Sequence, residues 1–191
     1  MNTLTDIFSY VCGQGRCFVV DDAALPVCQR CLGLYVGAAG TGMWIILRGL
    51  WRRGFPPWPV FVGNVAALLA AMLGGLHVAD FGPLWRLACG LWTGHVAVGW
   101  LVAGAAHLRA GRPRVPAFAP WRPADRLLGC LWPPLLGALA WGFGPLLAFG
   151  RAFWTAAAAG GAVVLAASIL IALVVAVEYG LAVRKGPLPC R

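Results

Sequence analysis

The sequence predicts an all-α membrane protein, a bundle of about five transmembrane helices with a short cysteine-rich lobe at its N-terminus. Three observations predict it. Of the 191 residues, 61% are hydrophobic and only 11% charged, against roughly 45–50% and about 25% in a soluble domain. Apolar runs of the ~20 residues that cross a bilayer recur along the chain. Four cysteines, Cys12, Cys17, Cys28 and Cys31, stand just ahead of the first such run.

The lobe, residues 1–31, is polar and carries Asp6, Asp21 and Asp22. It lacks a basic segment followed by an apolar one, so no cleavable signal peptide is expected. It holds too few apolar residues for a core of its own, and a metal or disulfides must staple it. The bundle, residues 32–183, divides into five segments. The first spans about 32–50 and the second about 59–79. The third, about 84–108, follows a short turn at Asp80-Phe81-Gly82-Pro83, which makes the second and third antiparallel neighbours. The link from Arg109 to Arg126 holds Pro113, Pro116, Pro120 and Pro123 and reads as an extended loop. The fourth segment, about 127–149, contains Pro133, Pro134 and Pro145 and should kink or re-enter the membrane. The fifth, about 153–183, is long enough to tilt. Residues 184–191 form a tail.

Lysine and arginine placement sets the topology. Arg48, Arg52, Arg53, Arg109, Arg112, Arg114, Arg122, Arg126, Arg184, Lys185 and Arg191 fall on one side, eleven of the fifteen in the chain. The positive-inside rule places them in the cytoplasm. The N-terminus is then outside, the C-terminus cytoplasmic, and the membrane is the cell's inner (plasma) membrane. The net charge of +9 serves this topology; no folded basic module or stacking platform points to nucleic acid. The expected partners are the lipid bilayer and other membrane protein subunits.

Cys28 and Cys31 form a Cys-x-x-Cys pair at the mouth of the first helix, with Cys12 and Cys17 upstream. Four thiolates with such a pair suit tetrahedral zinc or iron. An oxidising outer compartment suits disulfides equally. Arg16 and Arg30 flank the cluster, and positive charge favours the thiolate that redox exchange requires.

The run Cys12-Gly13-Gln14-Gly15-Arg16-Cys17-Phe18, followed by Leu25-Pro26-Val27-Cys28-Gln29-Arg30-Cys31-Leu32-Gly33-Leu34-Tyr35-Val36-Gly37, resembles an uncharacterised family of small prokaryotic integral membrane proteins, domain of unknown function number two thousand and eighty-five. A second block, Asp80-x-Gly82 then Arg86-x3-Gly90-x3-Gly94, resembles it more loosely. The resemblance implies no activity. Where the family has a histidine after its first cysteine, Gly13 stands here; where it has a serine after its arginine, Cys17 stands here. One potential ligand is lost and one gained, which a metal site tolerates and a pair of disulfides does not. The resemblance therefore tilts the cluster toward metal.

Other residues carry lesser expectations. His77, Asp80 and Arg86 share the outer face, as partners of the cysteine block, as ligand-binding groups or as interfacial ion pairs and caps. Asn64, His95 and Glu178 are polar groups inside the apolar segments, where such residues are costly and often functional. A hydrogen bond from His95 to a neighbouring helix, to Asn64 for instance, is the simplest role for it. Gly33/Gly37 and Gly90/Gly94 permit the first and third helices to approach closely beneath the cysteines. The function these features point to is a membrane-complex subunit or small-ligand binding protein with an external four-cysteine metal site. The alternative is a quinone-linked thiol oxidoreductase using Cys28/Cys31. A second alternative is a small transporter, for which His95 and Glu178 speak.

Overall fold

The computed structural model describes residues 17–20, 23–53, 55–75, 81–110, 121–127, 129, 131, 135 and 150–184. A two-stranded antiparallel hairpin, β1 (Cys17–Val20) and β2 (Ala23–Cys28), leads into α1 (Gln29–Arg48). A 3-10 turn (Leu50–Arg52), α2 (Trp58–Gly75), α3 (Pro83–Ala110) and α4 (Gly150–Arg184) follow. The described residues are thus helical apart from the hairpin and the connections.

Among the described residues three helices are long and apolar enough to cross a membrane: Gln29–Arg48, Pro83–Arg109 and Trp154–Ala182. Of the expected second span, residues up to Gly75 are described, with an apolar helical stretch from Trp58 to Leu73; residues 76–79 lie outside the described residues. The 18 described residues of α2 reach about 27 Å at 1.5 Å per residue, just under the hydrocarbon thickness of ~30 Å. Most of the expected fourth span lies outside the described residues. The link between the third and fourth segments is not extended throughout. Residues 123–127 are helical, and the Asp125 and Arg126 N–H groups both donate to the Arg122 carbonyl. Pro123 fits there because a helix's first turn needs no N–H from it.

α1 is the central helix. Its last turn ends at Gly49, whose φ of 62° lets its N–H donate to the Ile45 and Ile46 carbonyls; a side chain would strain that left-handed cap. In its first half α1 lies backbone to backbone against α3. A Cβ on Gly90 would overlap the Arg30 carbonyl oxygen, one on Gly94 the Leu34 carbonyl, and one on Gly33 the Leu87 carbonyl. The two small-residue pairs therefore form the crossing that their spacing suggests. α4 packs on the other flank, with Gly161 against the Tyr35 backbone and Gly42 of α1 against Val164.

The buried residues of α4, Trp154, Ala158, Gly161, Ser168 and Val175, recur at steps of three, four and seven, which is one face of a helix. Its other faces leave Val163, Leu170, Leu173 and Val177 more than half exposed. In water such a surface would be an aggregation hazard; in a bilayer it meets acyl chains. Inside the bundle, Thr93 donates to the Cys89 carbonyl and Ser168 to the Val164 carbonyl, both at 2.8 Å.

Candidate functional site

The sulfur-bearing end is built by the hairpin and the start of α1. β1 and β2 pair Cys17 with Cys28, Val19 with Ala24 and Val20 with Ala23, with a bulge between the first two pairs. Pro26 sits in the longer arm of that bulge; it has no N–H for the ladder, and a bulge is where a sheet accommodates it. Cys28 then caps α1. Its backbone is extended, and its Sγ accepts from the Cys31 N–H at 3.5 Å. The helix begins at Gln29, so Cys31 lies on its first turn rather than ahead of it. Cys28 is buried and Cys31 half-buried.

The family-like sequence thus brings the Cys17 backbone, Cys28 and Cys31 to one end of the bundle. Arg30 is half-buried there, and its carbonyl meets Gly90 of α3. Arg86, one turn ahead of Gly90, is half-buried at the same end. Cys12, Arg16, His77 and Asp80 lie outside the described residues. Among the described residues no three His, Cys, Asp or Glu side chains converge on a common point.

The opposite end holds an arrangement that sequence reasoning missed. Asp125 has no solvent exposure, yet it is a carboxylate facing two guanidiniums. Arg48 at the end of α1 contacts Oδ1 through Nε and Nη2, both at 2.9 Å, and Arg53 contacts Oδ2. Forked, charge-assisted bonds of this kind are the strongest available to a buried carboxylate. They tie the helical stretch at 123–127 to the end of α1 and the turn after it. The signal was present: Asp125 is the lone acid in a segment rich in arginine. The sequence reading spent those arginines on topology alone.

Beside this ion triad lies a small cavity, open at its mouth. Thr41, Trp44 and Ile45 of α1, Val60 and Asn64 of α2, His95, Gly99 and Trp100 of α3, and Trp121 and Gly129 line it. Here two of the intramembrane polar residues meet. His95 is buried, but its Nδ1 pairs with the Thr41 hydroxyl at 2.9 Å rather than with Asn64. The imidazole tautomer sets which of Nδ1 and the Thr41 hydroxyl donates. Trp44 stacks on the imidazole at 5.9 Å between centroids and meets Trp121 edge-on at 6.4 Å. Phe61 stacks on Trp100 at 5.1 Å. Asn64 is 95% buried with Oδ1 unbonded, and the buried indole nitrogens of Trp100 and Trp121 are likewise unbonded. Glu178 lies elsewhere, on an exposed face of α4.

A helical membrane bundle with a cysteine hairpin at one end and an aromatic, polar-lined cavity toward the other defines the class. Residues 12–99 match the model of a family described as predicted membrane protein (DUF2085). The match covers the hairpin, α1, α2 and the first part of α3, with Cys28, Cys31, Asn64 and His95 inside it; Trp121 and Asp125 fall beyond it. No curated protein and no solved structure matches the chain.

Proposed function

We propose that this chain is a multi-pass protein of the inner membrane whose external cysteine hairpin binds zinc or iron through Cys12, Cys17, Cys28 and Cys31, and that it serves as a membrane-complex subunit or small-ligand binding protein. The observation that carries the reading is the hairpin register. Cys17 stands directly across from Cys28, and Cys31 follows one helical turn on. This backbone register of a short polar segment supports a tetrahedral sulfur site. Metal binding would supply the folding energy that so small a lobe lacks. Arg16, Arg30 and Arg86, with His77 and Asp80, would surround the site and hold its ligands or a bound anion.

One observation favours a second reading. The Cys28 sulfur caps a helix N-terminus, where the dipole and the Cys31 N–H both favour thiolate. The same register sets the Cys17 and Cys28 Cα atoms directly opposite each other, which in antiparallel sheets means roughly 4.5–5.5 Å, a span a disulfide can bridge. In that reading Cys28 and Cys31 lose two electrons and two protons on forming a disulfide, and a membrane quinone takes up both to become a quinol.

Elemental analysis of the purified protein separates the two. The metal reading expects about one zinc or iron per chain, a sharp fall in Cys28→Ala, and far better retention in Cys17→His than in Cys17→Ala, because imidazole replaces thiolate at such sites. Metal-free native protein with all four cysteines oxidised would reject it in favour of thiol exchange.

A further inference from the structure

The end of the bundle that holds the ion triad gathers three stretches of chain. Arg48 and Arg53 contact Asp125, which joins the end of α1 and the turn after it to residues 122–127. Phe55 meets the His107 ring edge-on at 6.0 Å between centroids, which adds the last turns of α3. Charge at this end is sorted by depth. Asp125 is the only acid in residues 48–58, 107–109 and 121–127, and it has no exposure. Arg109, Arg122 and Arg126 are exposed. The Arg126 N–H donates to the Arg122 carbonyl, so these two cations stand one helical turn apart and are surface neighbours. Arg48 turns one edge of its guanidinium to Asp125, and its side chain stays 38% exposed. Trp51 and Trp58 are exposed close by, as is Leu127, the residue after Arg126.

We infer that this surface binds the headgroup of an anionic phospholipid of the surrounding bilayer. The surface carries the chemistry of such a lipid in complementary form. Guanidiniums match paired phosphate oxygens with forked donors. Exposed indoles suit the interfacial layer where headgroup meets acyl chain, and Leu127 offers the acyl chain an apolar contact. Keeping arginines on one side of a membrane during insertion does not require the acid among them to be withdrawn from the surface. Here it is withdrawn: the one negative charge of these stretches is neutralised inside, and what they expose is cationic. A zwitterionic headgroup brings its own cation, which the arginines repel; a headgroup of net negative charge does not. The cysteine hairpin lies at the other end of the bundle, so lipid binding here proceeds whatever that hairpin holds.

The test is native mass spectrometry of the full chain released from detergent micelles that contain equal amounts of phosphatidylglycerol and phosphatidylcholine with the same acyl chains. The first lipid retained should be phosphatidylglycerol about fivefold more often, which corresponds to one basic side chain acting at a membrane surface. Arg122→Gln with Arg126→Gln should bring that ratio close to one. Both side chains are exposed and neither belongs to the ion triad, so the thermal transition should stay near that of the parent. Arg109→Gln gives a second reading from a different helix and should lower the ratio without touching the Asp125 stretch. Lys185→Gln with Arg191→Gln removes as much charge from the tail as the first pair and should leave the ratio in place. Equal retention of the two lipids would overturn the inference. So would an equal loss in the tail variant, which would reduce the preference to net charge, or displacement of the bound lipid by inorganic phosphate, which would assign the surface to a free anion.

Discussion

Asp125 is fully buried among apolar helices, and an isolated carboxylate could not stay ionised there. Arg48 and Arg53 meet both of its oxygens. Deleting one member of such a group strands the rest, so Asp125→Ala should cost about 3–5 kcal/mol. Chemical denaturation of the purified protein reads this directly, and a variant as stable as the parent would show that the pairs contribute nothing net. Thr41 makes a smaller version of the same argument. Thr41→Val keeps the shape but removes the hydroxyl that His95 Nδ1 uses. It should cost about 1–3 kcal/mol, with Thr41→Ser restoring most of the loss. Equal stability of the Val and Ser variants would mean that the imidazole finds another partner.

At the scale of elements, the α1–α3 crossing rests on the absence of side chains. Lipid is as apolar as leucine, so helices in a bilayer gain from close packing rather than from hiding apolar surface. Gly90 and Gly94 place α3 against the Arg30 and Leu34 carbonyls, and any larger residue must push the helices apart. Gly90→Leu should therefore lower the thermal transition well below that of the parent. Gly63→Leu should leave it nearly unchanged, because a Cβ there meets nothing within 4 Å. Similar losses in both variants would count against the crossing as the source of stability. The hairpin is connected to this crossing. α1 starts at its Cys28 cap, and one turn later its backbone contacts α3. Loosening the crossing should for that reason also raise protease sensitivity around residues 17–28.

For the whole molecule, the arginine-rich links follow a single pattern. The ion triad joins Arg48 and Arg53 to the stretch holding Asp125, so two of the three basic links meet at one end of the bundle, with the cysteines at the other. The positive-inside rule predicts a cytoplasmic basic end. A membrane-impermeant maleimide applied to intact cells, after any metal or disulfide has been released, should modify Cys28 and spare Cys190 until the cells are permeabilised. The reverse pattern would invert the chain and place the hairpin in the reducing compartment.

The sequence by itself determined the features that depend on neighbouring residues. Membrane character follows from runs of apolar residues near Leu32, Leu84 and Phe153, since crossing hydrocarbon is a property of a single segment. The Cys28/Cys31 pair and the glycine pairs were visible because spacing along a helix fixes what shares a face. Helix ends were less legible: α1 starts at Gln29, because caps and neighbours move boundaries that hydropathy leaves blurred. Only the tertiary structure decided the cavity and the ion triad. Thr41, Asn64, His95 and Trp121 come from four separate segments, and Asp125 is 72 residues from Arg53. Whether a polar side chain in an apolar helix is paired, as His95 is, or left open, as Asn64 is, depends on which other helix stands opposite it, and no local pattern carries that information.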